Sequence, residues 1–149
     1  PKPVITQYAS PEKELEGILA RIQMEDLDDV AILVPSDREV MMVNDYLAKH
    51  GIKTQVMYRT GNTVPFRTVN TLDFSNNDLP CILTYYAAKG SEFDNVFVPF
   101  ANTSNDCSRN SFYVACTRSS RSLYISYSGT KTKYLSDVNS DFITELKAA

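Results

Sequence analysis

Two short segments hold the residue types best suited to chemistry. Arg118 closes the run Phe112-Tyr113-Val114-Ala115-Cys116-Thr117-Arg118. Lys89, Gly90 and Glu92 lie in Thr84-Tyr85-Tyr86-Ala87-Ala88-Lys89-Gly90-Ser91-Glu92-Phe93-Asp94. A guanidinium is always charged and presents its N–H groups as a fork, so it suits neutralising charge that builds on a phosphoryl group in transfer. An ordinary surface arginine near a helix C-terminus also interacts favourably with the helix dipole, and spacing alone favours that second role. Thr84 and Tyr86 sit at a strand end with alternate periodicity. A tyrosine there can stack on a base or donate to a phosphate, or it can pack into the core. Lys89-Gly90-Ser91-Glu92 is not a phosphate loop, because such a loop needs G-x-x-x-x-G-K-[ST] after a strand and the chain holds no such string. Gly90 more simply permits a tight turn.

Other chemistries find less support. His50 is the single histidine, beside the helix-ending Gly51, and reads as a surface or cap residue. No G-x-S-x-G elbow accompanies it, which argues against a serine hydrolase. Cys81, Cys107 and Cys116 share no C-x-x-C spacing. Their pattern fits reduced thiols in a cytoplasmic protein better than a disulfide framework or a metal site. A dinucleotide-binding fold would need a glycine-rich first turn, which is missing.

The elements that must position these residues follow from periodicity. Ser10-Pro11-Glu12 reads as a capped helix start, with Leu15, Ile18, Leu19 and Ile22 on one face. Val30–Val34 is an unbroken β-rich run typical of a strand covered on both sides. Pro35 ends it, and Ser36 with Glu39 forms a capping-box pattern for a helix through Val40, Val43 and Leu47, stopping at Gly51. Thr54–Tyr58 reads as the next strand. Residues 59–80 read as irregular, broken by Gly61, Asn62, Pro65, Asn76, Asn77 and Pro80. Beyond them come a strand at Cys81–Tyr85, a turn or short helix at Ala87–Glu92, a strand at Asn95–Phe100 and a polar loop at Asn102–Ser108. A helix at Arg109–Ser120, a strand at Ser122–Tyr127 and a closing helix at Asp137–Leu146 complete the reading. Strand–helix–strand alternation predicts an α/β fold with a mainly parallel sheet, and such folds place chemistry at the sheet edge.

With 149 residues and 43% hydrophobic content, the chain can bury a substantial core as a single domain, and it reads as a piece of a longer protein. No apolar run approaches the ~18–20 residues of a membrane span, so no membrane partner is expected. The net charge of −3 argues against holding nucleic acid by bulk charge alone. Its distribution is uneven. Residues 1–80 carry 8 basic and 12 acidic side chains, whereas residues 81–134 carry 6 against 3 and are the only net basic stretch.

In this order and about twenty residues apart, the two segments resemble motifs V and VI of superfamily 1 helicases, the UvrD/Rep group above all. Val30–Val56 is similar to the stretch that follows motif IV, so the resemblance covers about residues 30–127. It implies a RecA-like, P-loop NTPase-type three-layer α/β sandwich spanning residues 1–149, lacking its own phosphate loop. By the same resemblance, the chain would be the C-terminal motor domain of an ATP-dependent DNA helicase. Arg118 would be the arginine finger reaching the γ-phosphate of ATP, with Gly90 and Glu92 beside the nucleotide's sugar. Thr84, Tyr86 and Lys89 would face the single-stranded DNA track. Partners would be an N-terminal RecA-like domain of the same polypeptide, supplying most of the ATP and Mg2+ site, and single-stranded DNA. No metal ligand is assigned to this chain, and the alternative is a non-catalytic helicase-like DNA- or protein-binding module. Three departures stand out: Tyr86 replaces the usual histidine, Ser91 replaces leucine in the manner of the RecD branch, and the motif IV arginine is missing. The subdomain inserted near residues 59–80 in large UvrD/Rep helicases is absent too.

Overall fold

The computed structural model describes residues 1–61, 67–102, 108–136 and 138–148. The predicted breakers Asn62 and Pro65, Cys107 and most of the polar loop at 102–108, and Asp137 lie outside the described residues. In chain order the elements are β1 (Val4–Tyr8), α1 (Pro11–Met24), β2 (Val30–Val34), α2 (Asp37–Lys49), β3 (Gln55–Thr60), β4 (Arg67–Asn70), β5 (Cys81–Thr84) and β6 (Phe93–Val98). They continue with α3 (Arg109–Cys116), β7 (Ser119–Ser128), 3-10 turns at Lys133–Leu135 and Ser140–Phe142, and β8 (Thr144–Lys147). Among the described residues the strands form one sheet in the order β4-β3-β5-β2-β6-β7-β1-β8. Every pairing is parallel except β3 with β4.

Side-chain alternation along the central strands makes the three layers. Val30, Ile32 and Val34 of β2, with Ile82 and Phe97, pack under Leu15 and Ile18 of α1 and Val40, Val43 and Leu47 of α2. Ala31 and Leu33, with Cys81, Leu83, Val96 and Val98, face the other way against Phe112 and Ala115 of α3. Each fully buried Val, Leu or Ile contributes roughly 1.5–3 kcal/mol, so burial on both faces explains why β2 is apolar throughout. The helix starts are as predicted. Ser10 Oγ accepts from Lys13 N at 3.2 Å, and Ser36 N donates to Glu39 Oε2 at 3.0 Å. His50 is the C-cap of α2, and its Nδ1–H donates to the Tyr46 carbonyl at 2.8 Å.

Three predicted segments differ. The helix expected at Arg109–Ser120 ends at Cys116, and Ser119 and Ser120 already belong to β7, whose parallel pairing with β6 starts at Phe93↔Ser119. The expected closing helix at Asp137–Leu146 is not formed by its described residues. Ser140–Phe142 make one 3-10 turn, and Thr144–Lys147 add an edge strand parallel to β1. The backbone of β1 would otherwise be open on that side, and its register Val4↔Thr144 to Gln7↔Lys147 satisfies it. Pairing with a distant strand overrides local helical preference here. The stretch 59–80, expected to be irregular throughout, contains β4, which turns back antiparallel on β3 from Met57↔Asn70 to Thr60↔Arg67.

One buried acid pins the architecture. Glu14 of α1 is fully buried, and its Oε1 accepts from Phe100 N (2.9 Å) and Ser126 Oγ (2.8 Å). Phe100 adopts φ +63°, a left-handed conformation that a bulky residue takes only when its surroundings impose it. Glu14 thus ties α1 to the end of β6 and to β7. Burial pushes its carboxyl above the ordinary range, opposed by the hydrogen bonds it accepts.

Candidate functional sites at two sheet edges

Parallel strands fix where each motif goes. β5 and β6 run the same way, so the chain leaving Thr84 at the C-terminal edge must return to the N-terminal edge before Phe93. The turn that does so is held by Ala88 N→Thr84 O (3.1 Å), Lys89 N→Tyr86 O (3.2 Å) and Ser91 N→Ala88 O (3.1 Å). Buried Ala88 anchors it, and Gly90 at φ +80° lets it close, a conformation any side chain would strain. Helix α3 makes the corresponding return between β6 and β7, so Arg118 comes to the same N-terminal edge as Gly90 and Glu92.

There the two motifs join. Phe93 N donates to the Arg118 carbonyl at 2.9 Å. The Arg118 guanidinium donates from Nε to Val114 O (3.1 Å), from Nη2 to Thr117 Oγ1 (3.1 Å) and from Nη1 to Ser91 O (3.4 Å). Arg118 therefore caps the last turn of α3 and also holds the carbonyl between Gly90 and Glu92. Among the described residues it makes no ion pair, and three hydrogen bonds leave part of its five-donor fork unused. Glu92 is exposed. Ser91 and Glu92 line a cavity of about 310 Å³ together with Asp29, Gln55 and Asn77. Cys81 also lines it, and burial, with the charge of Asp29, pushes its thiol up to about 11. That thiol is inert as a nucleophile at neutral pH.

The opposite, C-terminal edge carries Thr84 and Tyr86. Thr84 is half-buried, and its Oγ1 accepts from Ala87 N at 3.1 Å. Tyr86 lies just past the strand and is 77% exposed, which removes the core-packing reading of this residue. Exposed Lys89 places Nζ 5.1 Å from the Tyr86 ring centroid. Thr84 and Tyr86, but not Lys89, border a groove of about 560 Å³ whose other wall is Ser36 and Asp37 at the start of α2, with Met57, Arg59 and Thr68 of the β3–β4 hairpin. Arg59 Nε lies 3.6 Å from Asp37 Oδ2, which braces hairpin to helix. The hairpin wall was missed from sequence because β4 lies in the stretch expected to be irregular. The six predicted site residues thus divide between two edges and do not form one pocket.

All six fall in one stretch with a recognisable signature. Residues 80–126 match the family model of the UvrD-like helicase C-terminal domain. The resemblance to superfamily 1 helicases therefore holds where motifs V and VI stand. No curated protein matches the chain. Among solved structures, the C-terminal domain of a possible DNA helicase from Lactobacillus plantarum WCFS1 superposes with a TM-score of 0.77 at 22% identity, over 97% of this chain and 85% of that one. Two structures of PRRSV helicase, one of them methylated nsp10, each give a TM-score of 0.61 at 10–11% identity. They cover 97% of this chain but only 29–30% of theirs. At such identities these likenesses establish the fold, and the RecA-like α/β sandwich expected from sequence is the fold observed. Among the described residues no helix is long and apolar enough to cross a membrane.

Proposed function

We propose that this chain is the C-terminal motor domain of an ATP-dependent DNA helicase, with a nucleotide-facing edge and a DNA-facing edge on opposite sides of one sheet. The observation that carries this reading is the convergence of Arg118 with Ser91, 27 residues apart, at the edge opposite Thr84 and Tyr86. A motor that couples nucleotide state to movement along a strand needs both ligands to touch one rigid body, and the sheet supplies it.

The donor set at the N-terminal edge fits one wall of an ATP site and no more. Arg118 offers a forked cation, and the Gly90–Glu92 turn offers a close backbone and a carboxylate. A phosphate-loop lysine and magnesium-binding carboxylates would come from an N-terminal RecA-like domain of the same polypeptide. ATP, when bound with Mg2+ between the two domains, supplies the energy of phosphoryl transfer. Arg118 would stabilise charge on the γ-phosphate, and Glu92 would accept from the sugar. On the other edge Tyr86 would stack on a base, with Thr84 and Lys89 beside the backbone.

The test is ATP hydrolysis by the longer protein and by this chain alone. The longer protein should hydrolyse Mg-ATP faster when single-stranded DNA is added, whereas the 149-residue chain should not exceed background. Turnover by the isolated chain would overturn the two-domain reading. A longer protein with no turnover would favour the non-catalytic binding module instead.

A further inference from the structure

We infer that the cavity bordered by Ser91 and Glu92 is a base pocket: it seats the nucleobase of the nucleotide whose phosphates reach Arg118, and Asp29 in it selects a base with an exocyclic amino group. This rests on reading the N-terminal edge as one wall of an ATP site, and it gives the base a seat on this chain. The cavity measures about 310 Å³. That is at the small end of the ~300–1,000 Å³ typical of ligand pockets, which suits a base with part of a sugar and not a whole triphosphate. Val30, Leu79 and buried Phe93 give it an apolar floor. Phe74 supplies a stacking face: its ring lies 6.3 Å from that of Phe93, and the residue is 56% exposed.

The wall that carries Phe74 is fastened in advance. Gln55, 2% exposed, holds the loop from Asp73 to Leu79 at three points. Its Nε2 donates to Asn76 O (2.7 Å) and Leu79 O (3.1 Å), and its Oε1 accepts from Asp73 N (2.6 Å). Asp29 N donates to Asn77 O at 2.9 Å, which ties the same loop to the residue before β2. A wall already in place loses little freedom when a ligand arrives.

Charge decides which end of a nucleotide enters. Among the described residues the cavity is lined by two carboxylates, Asp29 and Glu92, and by no cation, and neither acid has an ion pair. A phosphate is repelled there, whereas an amino group finds an acceptor. The cation stands just outside: Arg118 Nη1 reaches the Ser91 carbonyl at 3.4 Å, but Arg118 does not line the cavity. A nucleotide therefore fits with its base inward, its sugar at Glu92 and its phosphates toward Arg118. Asp29 is the selective group. Its Oδ2 accepts from Asp94 N at 3.0 Å, which fixes the carboxylate and leaves Oδ1 without a partner among the described residues. An ionised carboxylate only accepts, so it takes an amino group and repels an oxo group at the same ring position. The Asn77 side chain, also without a partner among the described residues, can turn its amide over to suit either base and does not discriminate.

Nuclear magnetic resonance titration of the 149-residue chain with adenosine and with inosine tests the pocket without any phosphate, since the two differ by amino against oxo at the same ring carbon. Adenosine in the millimolar range should shift the amide signals of Phe74, Asn77 and Glu92. Inosine should bind about tenfold more weakly, the scale of one hydrogen bond to a charged group. Phe74→Ala should weaken adenosine about tenfold, within the range of a base–aromatic stack, and Phe74→Tyr should retain it. Asp29→Asn keeps an acceptor for Asp94 N and tolerates the left-handed backbone at φ +47°, and it should abolish the preference for adenosine. In the longer protein Phe74→Ala should raise KM for ATP about tenfold with kcat nearly unchanged, the mark of lost ground-state binding. Turnover that is lost in Arg118→Ala, with KM unmoved in Phe74→Ala and no adenosine shifts at the cavity, would overturn the pocket and leave the ATP site standing. Equal binding of adenosine and inosine by the wild type would overturn the selection by Asp29. Adenosine shifts at the cavity with no ATP hydrolysis by the longer protein would uphold the pocket and overturn the motor reading.

Discussion

Replacing Arg118 by alanine separates a structural from a catalytic role, because the structure sets the size of the first. The substitution removes three hydrogen bonds, to Val114 O, Thr117 Oγ1 and Ser91 O. A net hydrogen bond contributes about 0.5–1.5 kcal/mol, and the half-buried setting of Arg118 places these at the low end, for a total of about 1–2 kcal/mol. In a domain of this length that lowers the melting temperature by roughly 2–8 °C. Even from a stability of ~5 kcal/mol, a loss of ~2 kcal/mol leaves about 99% of molecules folded. Misfolding therefore cannot account for a large loss of turnover. If Arg118 meets the γ-phosphate, ATPase activity of the longer protein should fall roughly 10³-fold or more, equivalent to about 4 kcal/mol in the barrier. Arg118→Lys should recover little, since a point charge cannot reproduce the fork. Arg121, exposed on β7, is the control, and its alanine variant should be far milder. The assay is steady-state ATP hydrolysis with calorimetric melting of the same preparations. Equal, small activity losses at Arg118 and Arg121 would show that Arg118 serves only the end of α3.

Glu14 predicts a pH dependence of stability. Its folded carboxyl sits above the ordinary value of 4.5 because of burial, so its contribution is complete below that value and is lost as pH rises through the elevated one. Glu14→Gln should flatten the fall in melting temperature on the alkaline side of 4.5; an unchanged pH profile would remove Glu14 as its source. Phe112, 1% exposed and ringed by Tyr85, Tyr113 and Tyr134, should cost about 3–5 kcal/mol when replaced by alanine. Phe142→Ala, at 68% exposure, should cost little by the same denaturation assay.

What could be determined from sequence is what depends on near neighbours. The capping residues Ser10 and Ser36 act within one turn, and the apolar run Val30–Val34 declares a doubly covered strand wherever that strand lies in the sheet. Motif residues are likewise legible, because a turn that returns to a parallel strand needs Gly90 in place, and a cation at the end of α3 needs Arg118. Which residues share a site was not legible, since that follows from strand direction and order. Thr84 and Glu92 are eight residues apart yet belong to opposite edges, whereas Ser91 and Arg118 meet across 27. The contacts least visible in sequence are the most distant ones. Glu14 reads as one more first-turn acid of α1 until the fold brings Phe100 and Ser126 to it, 86 and 112 residues away. β8 reads as a helix until the open edge of β1 offers backbone partners. Local preferences are worth tenths of a kilocalorie per residue (about 0–0.7 for most residues in a helix), whereas an unpaired buried polar group costs roughly 1–3 kcal/mol. Tertiary structure therefore decides wherever the two disagree.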